Sequence, residues 1–220
     1  MAGTIIVAAS WKGGVGKTSL VTALAVNLAA LRYRVMVVDA DPNQAFATWH
    51  KTAEAPPLAC SSCIDHNEIV GHLMREAEVA DVVLADTAGF ANQTAVFAMG
   101  AADMVLIPVM PDRNSVLEAR KTARQTQSVS QIARRDIPYR IILTRWNPRG
   151  LAERATLEDI DTSNLPRLQQ YLGDLVAFQQ YTFSGVMPKS GLVGMQTDKI
   201  IDELRGIGAI SANPVREEAA

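Results

Sequence analysis

Residues 5–20 read Ile5-Ile6-Val7-Ala8-Ala9-Ser10-Trp11-Lys12-Gly13-Gly14-Val15-Gly16-Lys17-Thr18-Ser19-Leu20, and this stretch decides the fold. Its first five residues are aliphatic without polar alternation, the signature of a strand buried on both faces. It runs through glycines into Gly16-Lys17-Thr18-Ser19, and then into Leu20, Ala23, Leu24, Leu28 and Leu31 at helical spacing. Strand, glycine loop and helix in that order make a phosphate cradle. The glycines let the backbone wrap an anion, successive N–H groups point inward, and the helix N-terminus adds partial positive charge. On this reading Gly13, Gly14, Val15, Gly16, Lys17, Thr18 and Ser19 hold the phosphates of a nucleotide. Lys17 pairs with β- and γ-phosphate oxygens, and the Thr18 hydroxyl sits on Mg²⁺. Trp11 stands where G-x-x-x-x-G-K-[ST] has its first glycine, so Gly13 and Gly14 supply the flexibility.

Similar apolar runs recur at Val35–Val38, Val82–Ala85, Val105–Val109 and Ile141–Leu143. Between them lie helical stripes: Val116, Ala119 and Ala123, continuing to Val129, Ile132 and Ala133. Leu165, Leu168, Leu172 and Leu175 predict another helix over Leu165–Leu175, and Ile200, Ile201 and Leu204 a terminal one. The alternation argues for an α/β fold: a three-layer P-loop NTPase with a mostly parallel central sheet flanked by helices. With no repeat, low-complexity tract or linker, residues 1–210 are expected to form one domain and 211–220 a tail, frayed over Asn213–Ala220.

Two of the apolar runs end in carboxylates. Val35–Val38 leads into Asp39-Ala40-Asp41-Pro42-Asn43-Gln44, and Val82–Ala85 into Asp86-Thr87-Ala88-Gly89. The C-terminal ends of parallel strands are where ligands bind in open α/β sheets. Asp41 and Asp86 therefore join Thr18 as candidate Mg²⁺ ligands, and Gly89 gives the next loop the freedom a γ-phosphate sensor needs.

Lys12 is a second lysine, five residues before Lys17, badly placed to reach its own phosphates. The pattern Lys12-Gly13-Gly14-Val15-Gly16-Lys17-Thr18-Ser19 resembles the deviant Walker A motif of the ParA/MinD superfamily of ATPases, nearest the compact ParA-type partition and positioning proteins. The resemblance implies a homodimer with ATP sandwiched between protomers, in which Lys12 reaches the partner's nucleotide. It also implies that Asp41 positions the attacking water, so Lys12, Lys17 and Asp41 are the catalytic set. Relatives place residues beside the adenine where this chain reads Thr144-Arg145-Trp146-Asn147; Arg145 is either a base-stacking residue or surface charge. Where relatives carry an aspartate-bearing segment, this chain reads Asp112-Arg113-Asn114-Ser115, at either the dimer face or the nucleotide edge. The segment Val176–Val186 resembles a late family helix ending at Gly185. The likeness is specific as far as Gly89 and loose beyond Pro111.

The chain has 220 residues and a net charge of −2, which excludes a globally basic nucleic-acid binder but not a local patch. Residues 111–154 carry ten basic and four acidic side chains, while the flanking stretches are each acidic. In the ParA branch that segment would face nonspecific DNA, with Arg120, Lys121, Arg124, Arg134, Arg135 and Arg149 as candidate contacts. A ParB-like or cargo adaptor protein would then stimulate hydrolysis. No apolar run reaches the ~18–20 residues of a bilayer span, and neither an export signal nor a basic amphipathic C-terminal helix is evident. The expected place is the cytoplasm, on the nucleoid in the ATP state. Cys60-Ser61-Ser62-Cys63 with His66 and His72 is half of a metal site at most, and ordinary packing is the reading preferred. Trp49, Trp146 and Met99, Met104 and Met110 also read as packing groups. Two other functions stay open: a P-loop metabolic or iron–sulfur carrier ATPase, and a nucleotide-gated scaffold with negligible hydrolysis.

Overall fold

Strand β1 (Thr4–Ser10) lies in the middle of a seven-stranded sheet ordered β3-β2-β4-β1-β5-β6-β7. Its partners are β4 (Val82–Gly89) and β5 (Met104–Val109); β2 (Val35–Ala40) and β3 (Ala59–Ser62) extend one side, β6 (Tyr139–Trp146) and β7 (Arg167–Gly173) the other. Every pairing is parallel. The computed structural model describes residues 2–52, 58–89 and 92–214. The expected tail lies outside the described residues from 215 onward; before it, the Ser211 carbonyl accepts a bond from the Tyr33 hydroxyl at 2.7 Å.

Each face of the sheet carries its own core. One contains α1 (Lys17–Ala30), α2 (Ala45–Thr52), α7 (Ala177–Ser184) and α8 (Gly191–Gly206). The other contains α3 (Ile69–Val79), α4 (Gln93–Ala101), α5 (Arg113–Ala133) and α6 (Leu151–Thr162). Eleven of the 14 residues of α1 are buried, so the helix leaving the glycine loop is a core element rather than an amphipathic surface one. Its position is therefore set by packing on all sides. Trp49, Trp146, Met99 and Met104 are buried packing groups, and α7 ends at Gly185 as expected.

Two sequence expectations fail. Leu165–Leu175 is not a helix: Arg167–Gly173 is strand β7. Leu168 and Leu172 are both buried against the α1 core, and four residues is two full periods of a strand as well as about one helical turn. The spacing fits both structures. Ile132 does not continue the buried stripe of α5; it is 82% exposed, while Val129 is the last buried aliphatic of that helix.

Strand β7 is an edge, and helix α8 closes it. Glu203 accepts the N–H groups of Gln169 and Gln170 at 2.7 and 2.9 Å, and Gln196 accepts that of Gly173 at 2.8 Å. These side chains occupy donors that an open edge would offer to another strand. Glu203→Ala removes both charge-assisted acceptors and is expected to lower stability by about 1–3 kcal/mol in urea unfolding, with Glu203→Gln losing less.

Candidate phosphate and metal site

The glycine loop lies between the C-terminal end of β1 and the start of α1. Gly16 is the residue before α1 and has φ of 89°, a left-handed conformation that a side chain would strain. Behind it, the Thr144 hydroxyl on β6 donates to the Val15 carbonyl at 2.8 Å, tethering the loop to a strand two places away in the sheet. Gly89 has a different role from the loop freedom expected of it. A Cβ there would sit 2.8 Å from Gly13 Cα, so glycine is what lets the end of β4 lie against the cradle.

A cavity of about 850 Å³ opens over this loop. Gly13, Gly14, Gly16, Lys17, Thr18, Ser19, Asp41 and Arg145 all line it, together with the N-terminal residues of α4. The expected phosphate and water-positioning residues thus converge on one space. Lys17 is buried, which pushes its ammonium down from the usual lysine range, against the opposing pull of Asp86 and Asp41.

Asp86 is the most unusual group in the site. It pairs in register with Asp39 on β2 and Ala8 on β1, so three adjacent strands hold it beneath the cavity lining, beside Thr18 and Lys17. It is fully buried, and among the described residues neither carboxylate oxygen has a well-formed hydrogen bond, although the Thr18 hydroxyl lies beside it. Burial pushes its carboxyl up to about 7; the Thr18 hydroxyl and Lys17 lower it, while Asp39 and Asp41 raise it further. An orphaned buried carboxylate beside a hydroxyl is the donor set of a hard divalent cation, so Thr18 and Asp86 fit Mg²⁺. Asp39 is buried too but satisfied: its oxygens accept the N–H groups of Asp41 at 3.1 Å and Ala47 at 2.9 Å. It shapes the loop that presents Asp41.

The first two loop residues face away from the cavity, toward α5. Trp11 donates its indole N–H to Gln125 at 2.8 Å and its backbone N–H to Thr122 at 3.1 Å. Lys12 pairs with Asp112 at 2.8 Å. Asp112 thus lies beside the loop entrance, the position that its sequence context left undecided.

A small cavity of about 50 Å³ adjoins the main one, sharing Gly16, Ser19 and Arg145 with it and lined on the far side by Leu172, Asp174, Leu175 and Phe178. Arg145 has φ of 50°, a left-handed backbone that non-glycine residues rarely adopt and that recurs at functional sites. Leu172, Asp174 and Leu175 are not expected here because Leu165–Leu175 reads as a helix in the sequence, and the Val176–Val186 helix carries no expected site residue. His66, weighed in the sequence only as a partner of the cysteines, lies elsewhere. It lines the main cavity and stacks on Phe97 with ring centroids 6.0 Å apart. His72, by contrast, bonds Ser61 at 2.8 Å on β3. Burial raises the Cys60 thiol to about 11, away from the thiolate that metal or redox chemistry needs.

The basic segment divides into three places. Lys121 and Arg124 are exposed on α5; Arg134 and Arg135 are at its C-terminal end, and Arg149 is in the loop before α6. Several of these cations have internal partners. Arg120 bonds Asp159 and Ser163, Lys121 pairs with Glu118 at 2.8 Å, and Arg135 donates to the Gly100 and Ala102 carbonyls, both at 2.8 Å.

Residues 6–184 match the model of the CobQ/CobB/MinD/ParA nucleotide binding domain. The chain belongs to this family. It is 29% identical over 148 residues to "Protein ParA" of Rhizobium radiobacter, covering 66% of this chain and 65% of that protein, just under two thirds of the relative's length. It is 27% identical over 184 residues to the "Maintenance of carboxysome distribution protein A" of Gloeobacter kilaueensis, covering 83% of this chain and 82% of the relative. Its fold is similar to that of the septum site-determining protein MinD complexed with Mg-ADP from Pyrococcus horikoshii, with a TM-score of 0.72 at 16% identity, covering 93% of this chain and 98% of that one. Among the described residues, no helix is long and apolar enough to cross a membrane.

Asp86→Asn removes the buried charge while keeping the shape. Without nucleotide and Mg²⁺ it is expected to raise stability by roughly 1–3 kcal/mol at pH 7, while Mg²⁺-dependent nucleotide binding is lost. The folded carboxyl titrates near 7 and the unfolded one near the ordinary ~3.9. Its destabilising effect therefore grows as pH rises through that window and fades below it. Urea unfolding of both proteins between pH 4 and 7 should show the gap closing toward the acid end.

Proposed function

We propose that this chain is a Mg²⁺-ATP-dependent, dimerising ATPase that partitions DNA or positions other cargo through ATP-gated, nonspecific DNA binding. The observation that carries this reading is the direction of Lys12. Lys17 serves the chain's own cavity, whereas the Lys12 side chain turns out toward α5. A cation at the loop entrance that does not face its own phosphates is suited to a nucleotide held by a second copy. The likeness to ParA and to the carboxysome distribution protein supports the positioning role.

In this mechanism the amides of Gly13 to Ser19 hold the phosphate chain and Lys17 neutralises its β- and γ-oxygens. Thr18 and Asp86 would hold Mg²⁺, which would supply positive charge to the phosphoryl oxygens. Asp41, at the cavity wall, orients water for in-line attack, and Arg145 lies on the base side. Lys12 of each protomer completes the other's site. Hydrolysis then acts as a timer, because the two nucleotide states differ in the surface they present.

The DNA-facing surface centres on Lys121 and Arg124, which are exposed on one helix. Arg120 and Arg135 are less suited to testing it, since they bond residues of other segments, whereas the Lys121 pair with Glu118 lies on the exposed face of α5 itself. ATPase rate and DNA retention should be measured with and without nonspecific DNA. Wild type is expected to bind DNA only with ATP, and less as salt rises. Asp41→Ala should trap an ATP dimer, with turnover down about 100-fold or more, while Lys12→Ala should form none. Lys121→Glu with Arg124→Glu should weaken DNA binding and leave ATP affinity intact. DNA binding indifferent to both ATP and salt would sink the reading.

A further inference from the structure

A lysine ammonium has three donors. In this chain all three of Lys12 are used: Nζ donates to Asp112 Oδ1 at 2.8 Å, to Asp112 Oδ2 at 2.9 Å and to Ser115 Oγ at 3.0 Å. A saturated ammonium cannot hold a phosphate oxygen at the same time. The contact within one chain and the contact across a dimer exclude each other.

The acceptor is built in advance. Asp112 is the N-cap of α5, with extended backbone and its Oδ1 accepting the Ser115 N–H at 2.9 Å. Its Oδ2 also accepts the Ser115 hydroxyl at 2.7 Å. The carboxylate is therefore fixed by the helix terminus, where negative charge is favoured, with Lys12 present or withdrawn. Burial alone would raise the Asp112 carboxyl, but Lys12 and Ser115 hold it below the usual range. The backbone of the loop entrance is pinned to the same helix by the Trp11 bonds to Thr122 and Gln125. Lys12 thus changes partners by side-chain rotation alone. The pair is accessible enough for this, with Lys12 and Asp112 side chains 26% and 37% exposed.

We propose that Asp112 is a positioning residue that holds Lys12 in cis, so that the ATP dimer forms only by breaking two Lys12–Asp112 pairs. Asp112 thereby sets the protein concentration at which the dimer appears. The inference rests on the reading of Lys12 as the residue that acts across the dimer.

Asp112→Asn isolates the effect, since asparagine caps a helix as well as aspartate while the charge is lost. Sedimentation of the full chain with Mg²⁺ and a non-hydrolysable ATP analogue reads the dimerisation constant; a fluorescent analogue verifies that each variant is loaded. The variant is expected to dimerise at about tenfold lower concentration, from two partly exposed pairs per dimer. The difference from wild type should shrink in 0.5 M salt, a probe concentration at which such pairs are screened to about 4–5 Å; a purely structural role of Asp112 would not follow salt in this way. Dimerisation at the same or higher concentration than wild type overturns the proposal. Lys12→Ala separates the two levels. If it dimerises like wild type, the trans role of Lys12 fails, and this inference with it. If it stays monomeric while Asp112→Asn matches wild type, that role stands and only the inference about Asp112 falls. A wild type that remains monomeric while Asp112→Asn dimerises supports both; no dimer from either overturns both.

Discussion

A fully enclosed carboxylate that finds no well-formed hydrogen bond among the described residues is the constraint on which this molecule depends. Burying an unpaired charge costs several kcal/mol, and folding tolerates it only where the surroundings force it. Here the parallel sheet does so, since β1, β2 and β4 end together and place Asp86 beside Asp39 and Asp41. Lys17 is one cation among three carboxylates, and it is itself lowered by burial. The floor of the cavity is short of positive charge, while the glycine loop above it is rich in donors for negative charge. Mg²⁺ and a phosphate chain satisfy both demands together, and neither alone satisfies the pair.

Helix α5 is the second organising element. It receives the indole of Trp11 on its inner side, Lys12 at its first turn, and presents Lys121 and Arg124 outward. One helix of 21 residues thus touches the loop entrance and carries the exposed cations that the proposed function turns toward DNA. The substitution of tryptophan for a loop glycine fits this arrangement. Gly13 and Gly14 retain the wrapping freedom, and the indole provides an anchor that a glycine could not.

The nucleotide half of the molecule was legible because its signals are local. Five apolar runs became strands, the glycine loop joined β1 to α1, and Asp41 and Lys17 reached one cavity with Asp86 buried beneath it. What was illegible depends on chain crossings. Strand β3 has only four residues and no apolar run, and β7 shares a four-residue spacing with a helix, so neither announced itself. Thr144 behind the loop, His66 at the cavity wall and Asp112 beside Lys12 are brought in by tertiary contact from distant positions. The charge of segment 111–154 was legible as a sum but not as a surface, because Arg120 and Arg135 turn inward to carboxylate and carbonyl partners.

The closure of β7 by Glu203 and Gln196 limits how copies of this chain can associate. A sheet grows into a filament only if both of its outer strands accept another strand. Here donors of one outer strand are taken by side chains of the chain's own helix, which leaves the short β3 side as the more open route. Joining through that side uses it up in both copies, so growth by strand addition stops at a pair. Any longer array would have to be built from contacts other than strand pairing.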